Sequence, residues 1–355
     1  MKKVLIDLNV LKHINCGLGQ IAYNYARYFG ENASKMDFEI HLLLPKKYIG
    51  AFGDDIYYHN CSELVASFPK LLLPKFDIWH SMHQMCRMLP QYKSTTNILT
   101  IHDINFIYEK QGQSLYKHSH KFMRRMKRAD RIFCISNFTK NDVLKHFPTD
   151  KPLEVIYNGV EFGNVTNERK PDLPFPDYSK FLFSIGQIRW KKNFHVLLDA
   201  MKLMPEYNLV IAGEKGSDYA DLIEKKIKTD KIRNVFLIGT VHDSEKIWLY
   251  NHCEAFVFPS LFEGFGLPVI EAMSYGKPVV SSDKTSLKEI CSGHAFLLEN
   301  FEGAHIADTI RKAIKAYGDD PQLSVSSESY ARSYSYERHM EQYIQVYKSI
   351  LEGEK

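Results

Sequence analysis

The sequence predicts an α/β fold with parallel sheets, divided into two domains of similar size. Three observations carry this. Short β-rich runs alternate with amphipathic stretches along the chain. The runs are apolar through their length rather than alternating, as strands covered on both faces are. Near the middle the rhythm stops at the turn signal Asn158-Gly159 and a polar stretch, 161–180, that carries Pro171, Pro174 and Pro176. A chain of 355 residues is long enough for two cores. The expected domains are 1–165, joined by a C-terminal helix at 336–355, and 166–335.

The first series of expected strands is 4–10, 38–44, 78–80, 97–101, 131–135 and 153–156. The second is 181–186, 208–212, 235–238, 255–258, 278–281 and 295–298. Helical patterns fill most gaps, which is the strand–helix arrangement of parallel sheets. The pattern at 115–131 is a basic amphipathic helix. Leu115, Phe122, Met126 and Ala129 form its apolar face. Lys117, Lys121, Arg124 and Arg128 form a stripe, with Arg125 and Lys127 beside it. Such a helix can rest on an anionic membrane. In the tail, Tyr336, Met340, Tyr343, Ile344, Tyr347 and Ile350 recur at helical spacing.

Composition narrows the function classes. With 45% hydrophobic and 25% charged residues the chain is globular. No apolar run approaches the roughly 20 residues that span a bilayer. The start, Met1-Lys2-Lys3-Val4-Leu5-Ile6-Asp7, meets a charge after three apolar residues, unlike a secretory leader. Six cysteines lie far apart without a C-x-x-C pair, so free thiols in a reducing cytoplasm are expected. A net charge of +4 is too small to argue for nucleic acid. Its distribution is uneven: residues 1–160 hold 22 Lys+Arg against 14 Asp+Glu, and residues 161–355 hold 24 against 28. The two halves therefore suit different partners.

The most informative stretch is Phe258-Pro259-Ser260-Leu261-Phe262-Glu263-Gly264-Phe265-Gly266-Leu267-Pro268-Val269-Ile270-Glu271. A strand ends, two glycines leave the backbone bare, and Pro268 suits the first turn of a helix. Such a loop aims free N–H groups and the positive helix end at an anion, as a phosphate would be. Glu263 and Glu271 bracket it and can address uncharged hydroxyls of a sugar and a ribose.

This stretch resembles the Glu-seven-residues-Glu element of retaining glycosyltransferases of GT-B architecture, especially glycosyltransferase family 4. The similarity runs from Gly17 to about Leu298. It implies two Rossmann-like domains facing across a cleft, with a C-terminal helix crossing back. It also implies that Glu263 meets the donor sugar, that backbone at Phe265, Gly266 and Leu267 meets sugar and diphosphate, and that Glu271 meets the ribose. The stretch Gly186-Gln187-Ile188-Arg189-Trp190-Lys191-Lys192 is similar to the family's basic element. Lys192 stands in the lysine position, and Gln187 stands where an Arg is usual. Either Arg189 or Lys191 is expected to supply the second cation against a departing diphosphate.

Gly17 and Gly19 formally fit a dinucleotide fingerprint. Six residues separate them from the preceding strand, where that fingerprint needs a tight turn. The resemblance assigns them to a glycine-rich loop near donor or acceptor. His102 and Asp103, at a strand end, are similar to the family's first-domain pair near the reacting sugar. Gly213 is expected on the nucleotide side and Val241 near the base.

The reading is a metal-independent, retaining transfer of a hexosyl group, mannosyl favoured, from a nucleotide sugar. The acceptor is a saccharide or lipid-linked saccharide in cell-surface polysaccharide assembly, and no cofactor is expected. A nucleotide-sugar epimerase, a phosphorylase or a non-catalytic nucleotide binder remains the alternative. The place of work is cytoplasmic, with the inner face of the plasma membrane open to the basic helix.

Overall fold

A computed structural model describes every residue except Asn15, Asn164, Tyr178, Glu354 and Lys355. The chain forms two compact units, Met1–Tyr157 with His339–Lys355, and Asn158–Arg338. The break thus falls at Asn158, ahead of the proline-bearing stretch. The six cysteines are free. No helix among the described residues is long and apolar enough to cross a membrane.

The N-terminal unit has a seven-stranded parallel sheet. Its strands are β1 (Lys3–Asp7), β2 (Glu39–Leu44), β3 (Tyr57–Asn60), β4 (Ile78–Ser81), β5 (Thr96–Ile101), β6 (Arg131–Cys134) and β7 (Leu153–Val155), ordered β3-β2-β1-β4-β5-β6-β7. Central strands such as Ile78–Ser81 are buried along their whole length, as helices on both faces require. Two expectations are corrected. The strand placed at 4–10 ends at Asp7, because the Asp7 Oδ1 accepts from Asn9 N at 3.0 Å and starts a turn into the 3₁₀ helix Asn9–His13. β3 was not expected. Its sequence, Tyr-Tyr-His-Asn, is polar because it lies at the sheet edge and is only partly covered.

The tail forms the helix Tyr336–Glu352. Tyr343 and Tyr347 are buried in the N-terminal unit, where Tyr343 Oη meets Thr100 Oγ1 at 2.9 Å and Tyr347 Oη meets His80 Nδ1 at 2.5 Å. His339 Nδ1 lies 2.6 Å from the Tyr157 carbonyl, so it carries the proton, and Nε2 accepts from Tyr25 Oη at 2.7 Å.

The C-terminal unit has a six-stranded parallel sheet of β8 (Phe181–Ile185), β9 (Asn208–Ala212), β10 (Val235–Gly239), β11 (Ala255–Phe258), β12 (Val279–Ser282) and β13 (Phe296–Leu298), ordered β10-β9-β8-β11-β12-β13. Its core joins sheet residues such as Leu182, Ile211 and Val257 to Leu197, Met201, Ile306 and Ile310 of the covering helices. The chain leaves β8 toward β9 and β10, then returns to the other side of β8 at β11. The β8/β11 boundary is the topological switch point, where loops beyond the carboxyl ends of parallel strands diverge and leave a crevice. In the N-terminal unit the same point lies between β1 and β4.

Candidate functional site

The loops that follow β8 and β11 carry the basic element and the Glu-bracketed loop. They are tied together by backbone: Leu261 N donates to the Lys191 carbonyl at 2.7 Å. This brings Lys192 and Glu263 face to face. Lys192 Nζ lies 2.6 Å from Glu263 Oε1, with both side chains largely covered at 11% and 15% exposure. The Ser260 hydroxyl lies 2.6 Å from the same Oε1 and 3.0 Å from the Lys191 carbonyl. The ammonium also sits 4.7 Å from the centre of the Phe258 ring. Glu263 Oε2 has no protein partner among the described residues. One carboxylate oxygen is therefore held in place while the other is available as an acceptor.

The backbone of this loop is fixed from β12. The Glu263 N–H donates to Thr285 Oγ1 at 3.0 Å, and Ser286 Oγ lies 2.9 Å from the carbonyls of both Glu263 and Phe265. Thr285 takes φ +53° and ψ −130°. That is a strained conformation for a β-branched residue, and such outliers gather at functional sites. Gly266 has φ +115°, and a Cβ there would meet Leu287 Cδ2 at 2.7 Å, so only glycine fits. It caps the helix Leu267–Ser274, whose opening turn holds Pro268. The Phe265 side chain is buried against Tyr334.

Glu271 is held separately. Its Oε1 takes Lys246 Nζ at 3.1 Å, and its Oε2 accepts from Tyr250 Oη at 2.7 Å. The Glu271 charge raises the Lys246 pKa, and burial raises that of Tyr250. Both groups stay protonated at neutral pH, leaving the carboxylate's remaining lone pairs for hydroxyl donors. Arg189 is exposed, and its side chain has no partner among the described residues. Lys191 is half-buried, with its carbonyl engaged and its ammonium unpaired among the described residues. Gly213 closes β9, where a Cβ would lie 1.9 Å from the Gly186 carbonyl oxygen, so its need for glycine is steric. Val241 is half-buried in the loop after β10. No group of three or more His, Cys, Asp or Glu among the described residues is arranged to hold a metal ion.

In the N-terminal unit, His102 follows β5 and is buried. Burial pushes its pKa down to about 4, so the ring is neutral at pH 7. Nε2 lies 2.9 Å from the Met82 carbonyl and must carry the proton, which leaves Nδ1 as an acceptor. The Gln84 side chain fixes both neighbours: its Oε1 accepts from His102 N at 3.1 Å, and its Nε2 donates to the Asp103 carbonyl at 2.8 Å. Asp103 Oδ1 also accepts from Asn105 N at 3.1 Å. Gly17 opens the helix Gly17–Asn32, with open space where a Cβ would be. At Gly19 a Cβ would lie 2.1 Å from the His13 carbonyl oxygen, so this glycine is required by packing. Sequence reasoning gave no role to Ser260, Thr285, Lys246, Tyr250 or Gln84. Ser260 lay within the quoted loop; the others become neighbours only once the strands are paired.

Residues 24–163 match Glycosyltransferase Family 4, and residues 165–333 match Glycosyl transferases group 1. O-antigen chain mannosyltransferase B of Escherichia coli is 27% identical over 242 residues, covering 62% of this chain and 61% of that one. Serotype-specific mannosyltransferase WbdA of Escherichia coli is 32% identical over 205 residues, covering 53% of this chain and 25% of that one. The matched part is thus about three fifths of the first relative and a quarter of the second. A crystal structure of Anabaena HepE in complex with UDP-glucose is similar with a TM-score of 0.75 at 16% identity, covering 98% of this chain and 100% of that one. Sucrose-phosphate synthase from Thermosynechococcus elongatus has a TM-score of 0.74 at 16% identity, covering 99% of each chain. At such identities these two structures speak for the fold. Matched in consecutive halves from residue 24 to residue 333, and built like them from two parallel-sheet Rossmann-like units of the GT-B class, the chain belongs to the group 1, family 4 glycosyltransferases.

Proposed function

We propose that this chain is a retaining glycosyltransferase. It moves a hexosyl group, mannosyl favoured, from a nucleotide sugar to a saccharide or lipid-linked saccharide during cell-surface polysaccharide assembly. The mannosyl preference and the polysaccharide setting are taken from the names of its relatives. The nucleotide-sugar donor also agrees with the ligand of HepE. The observation that carries the chemistry is the division of labour on Glu263, whose Oε1 is spent on Lys192 and Ser260 and whose Oε2 is open.

In this reading Glu263 Oε2 accepts a donor-sugar hydroxyl, Glu271 accepts from the ribose, and the N–H groups around Gly266 and Leu267 face the diphosphate. The anomeric C–O bond breaks and negative charge builds on the departing diphosphate. Lys192, with Arg189 or Lys191, neutralises it. The acceptor oxygen attacks from the leaving-group face and its proton passes to the diphosphate. The resemblance to the family favours a binding role for Glu263 over a covalent one, with Oε2 holding a sugar hydroxyl while Oε1 stays on Lys192 and Ser260. His102 and Asp103 are assigned to the reacting sugar or the acceptor. The nucleotide sugar is a substrate, and the scheme calls for no cofactor or metal.

A panel of GDP-, UDP- and ADP-sugars tests this. The true donor raises the melting temperature by linkage, by about 2.7 kcal/mol of stability at a hundredfold excess over Kd. With that donor, Glu263→Ala lowers transfer by orders of magnitude. Near-wild-type turnover of the variant, or no stabilisation by any nucleotide sugar, defeats the proposal.

A further inference from the structure

In the N-terminal unit, the turn that follows β4 brings a second imidazole beside His102. Both neighbours of His83 are tied to the end of β5. The Met82 carbonyl accepts from His102 Nε2 at 2.9 Å, and the Gln84 side chain bridges His102 N and the Asp103 carbonyl. His83 lies between these anchors, half-buried, with its ring centre 6.3 Å from that of His102. The turn is also closed from its far side. Cys86 N donates to the His83 carbonyl at 3.0 Å, and the Cys86 carbonyl accepts from Nε of Arg125, a buried residue of the basic helix Gly112–Arg128, at 2.7 Å.

Hydrogen bonding fixes which nitrogen carries the proton in each ring. Burial, with His102, Lys121 and Arg125 nearby, pushes the His83 pKa down to about 3, so this ring too is neutral at pH 7. Its Nδ1 accepts from Met85 N at 3.2 Å, which puts the proton on Nε2. In His102 the proton is on Nε2, toward Met82, and Nδ1 is the acceptor. The pair therefore offers one donor, His83 Nε2–H, and one acceptor, His102 Nδ1. Neither atom has a protein partner among the described residues, and neither is sealed from solvent. A carboxylate or phosphate oxygen would satisfy the donor but set its lone pairs against Nδ1. A metal ion would need a third ligand, and no His, Cys, Asp or Glu among the described residues completes one. A hydroxyl accepts and donates at a single atom. Two hydrogen bonds of about 2.9 Å to one oxygen put the nitrogens roughly 4.7 Å apart, which suits rings with centres 6.3 Å apart. We propose that His83 is a sugar-binding residue, with its Nε2 donating to, and His102 Nδ1 accepting from, one and the same sugar hydroxyl. This rests on the glycosyl-transfer reading and adds to it a side chain that no sequence motif singled out.

Two variants of the full chain separate binding from turn formation. Asparagine keeps an acceptor where Nδ1 stands and loses the donor, whereas glutamine carries an amide N–H₂ near the place of Nε2 and loses the acceptor. His83→Asn should therefore keep the parent Tm and weaken sugar binding about tenfold, while His83→Gln lowers Tm and recovers most of that binding. The probes are the nucleotide sugar that most raises the melting temperature and methyl α-mannoside as acceptor. A weaker donor Kd without acceptor assigns the hydroxyl to the donor sugar. An unchanged donor Kd with slower transfer to the mannoside assigns it to the acceptor. Asparagine equal to the parent with glutamine impaired makes His83 a turn residue and overturns the proposal, as does equal behaviour of the two variants. A parent that binds no nucleotide sugar overturns the glycosyl-transfer reading and this pair together; a parent that binds one, with donor affinity and transfer untouched in both variants, overturns the pair alone. Nitrogen NMR of the ligand-free chain labelled at histidine needs no substrate. Both rings are expected as neutral Nε2–H forms at pH 7, and an imidazolium or an Nδ1–H ring at either position overturns the proposal.

Discussion

Replacing Lys192 with methionine keeps most of the stem packed near Phe258 and removes the ammonium 2.6 Å from Glu263 Oε1. At that distance and an effective dielectric of about 20, the attraction is roughly 6 kcal/mol before desolvation. Breaking one side of a buried pair costs about 3–5 kcal/mol. Glu263 keeps the Ser260 hydroxyl and some contact with water, so about 2–3 kcal/mol is expected here. In a unit of this size that lowers Tm by roughly 4–12 °C. The loss in transfer is separate and larger in effect. Removing one charge-stabilising donor from a transition state costs about 10²–10³ in kcat. Lys192→Met, Glu263→Gln and the double variant, measured by calorimetry and by single-turnover transfer, form a cycle. The double variant should be more stable than the two single effects summed, with a coupling of about 2–3 kcal/mol. A coupling near zero refutes the ion pair, and a fall in Tm with kcat intact leaves Lys192 a structural residue alone.

Three further outcomes follow from the geometry. At Gly186, where φ is +149°, a Cβ would lie 2.9 Å from Lys192 Cε and 3.2 Å from Nζ, so Gly186→Ala should strain the backbone and displace the ammonium, lowering Tm and also lowering kcat by roughly tenfold or more; a kcat that stays at the parent value contradicts this. Thr285→Ala removes the acceptor of the Glu263 N–H and should cost about 1–3 kcal/mol and reduce transfer, whereas Thr285→Ser preserves both; equal behaviour of the two variants contradicts the clamp. Burial holds His80, His102 and His339 at about 3, 4 and 4, so the folded chain keeps them neutral while the unfolded chain takes up protons near pH 6.5. Stability is therefore present above pH 6.5 and lost as pH falls toward 4, at up to about 4 kcal/mol per pH unit for three protons. Asp7, raised by burial to about 6, opposes this by up to about 1.4 kcal/mol per pH unit between 3.8 and 6. A Tm that does not change between pH 7 and pH 5 contradicts the buried neutral rings.

What could be read in the sequence depended on whether the determining contacts were local. Strands covered on both faces show as unbroken apolar runs, so β8 and β11 fall where the pattern put them. β3 escaped notice because an edge strand has little apolar surface to bury, and its Tyr57 is exposed. The loop from Glu263 to Glu271 was legible because glycine and proline act on their own backbone. Its supports were not, because Thr285 reaches Glu263 only through the pairing of β11 with β12, twenty-two residues along the chain. The basic helix shows a similar limit. Periodicity placed Arg125 next to the stripe, but not at the buried carbonyl of Cys86, which belongs to another segment. Gly19 fits a phosphate-loop pattern, yet its neighbour is the His13 carbonyl.

The central claim is that the loop between Glu263 and Glu271 holds an activated sugar. A crystal structure of the chain grown with the nucleotide sugar that most raises its melting temperature tests it most directly. A sugar hydroxyl within hydrogen-bond reach of Glu263 Oε2, the diphosphate at Lys192 and the Gly266 backbone, and the ribose at Glu271 are predicted. Donor density elsewhere, with Oε2 facing only solvent, would contradict the account.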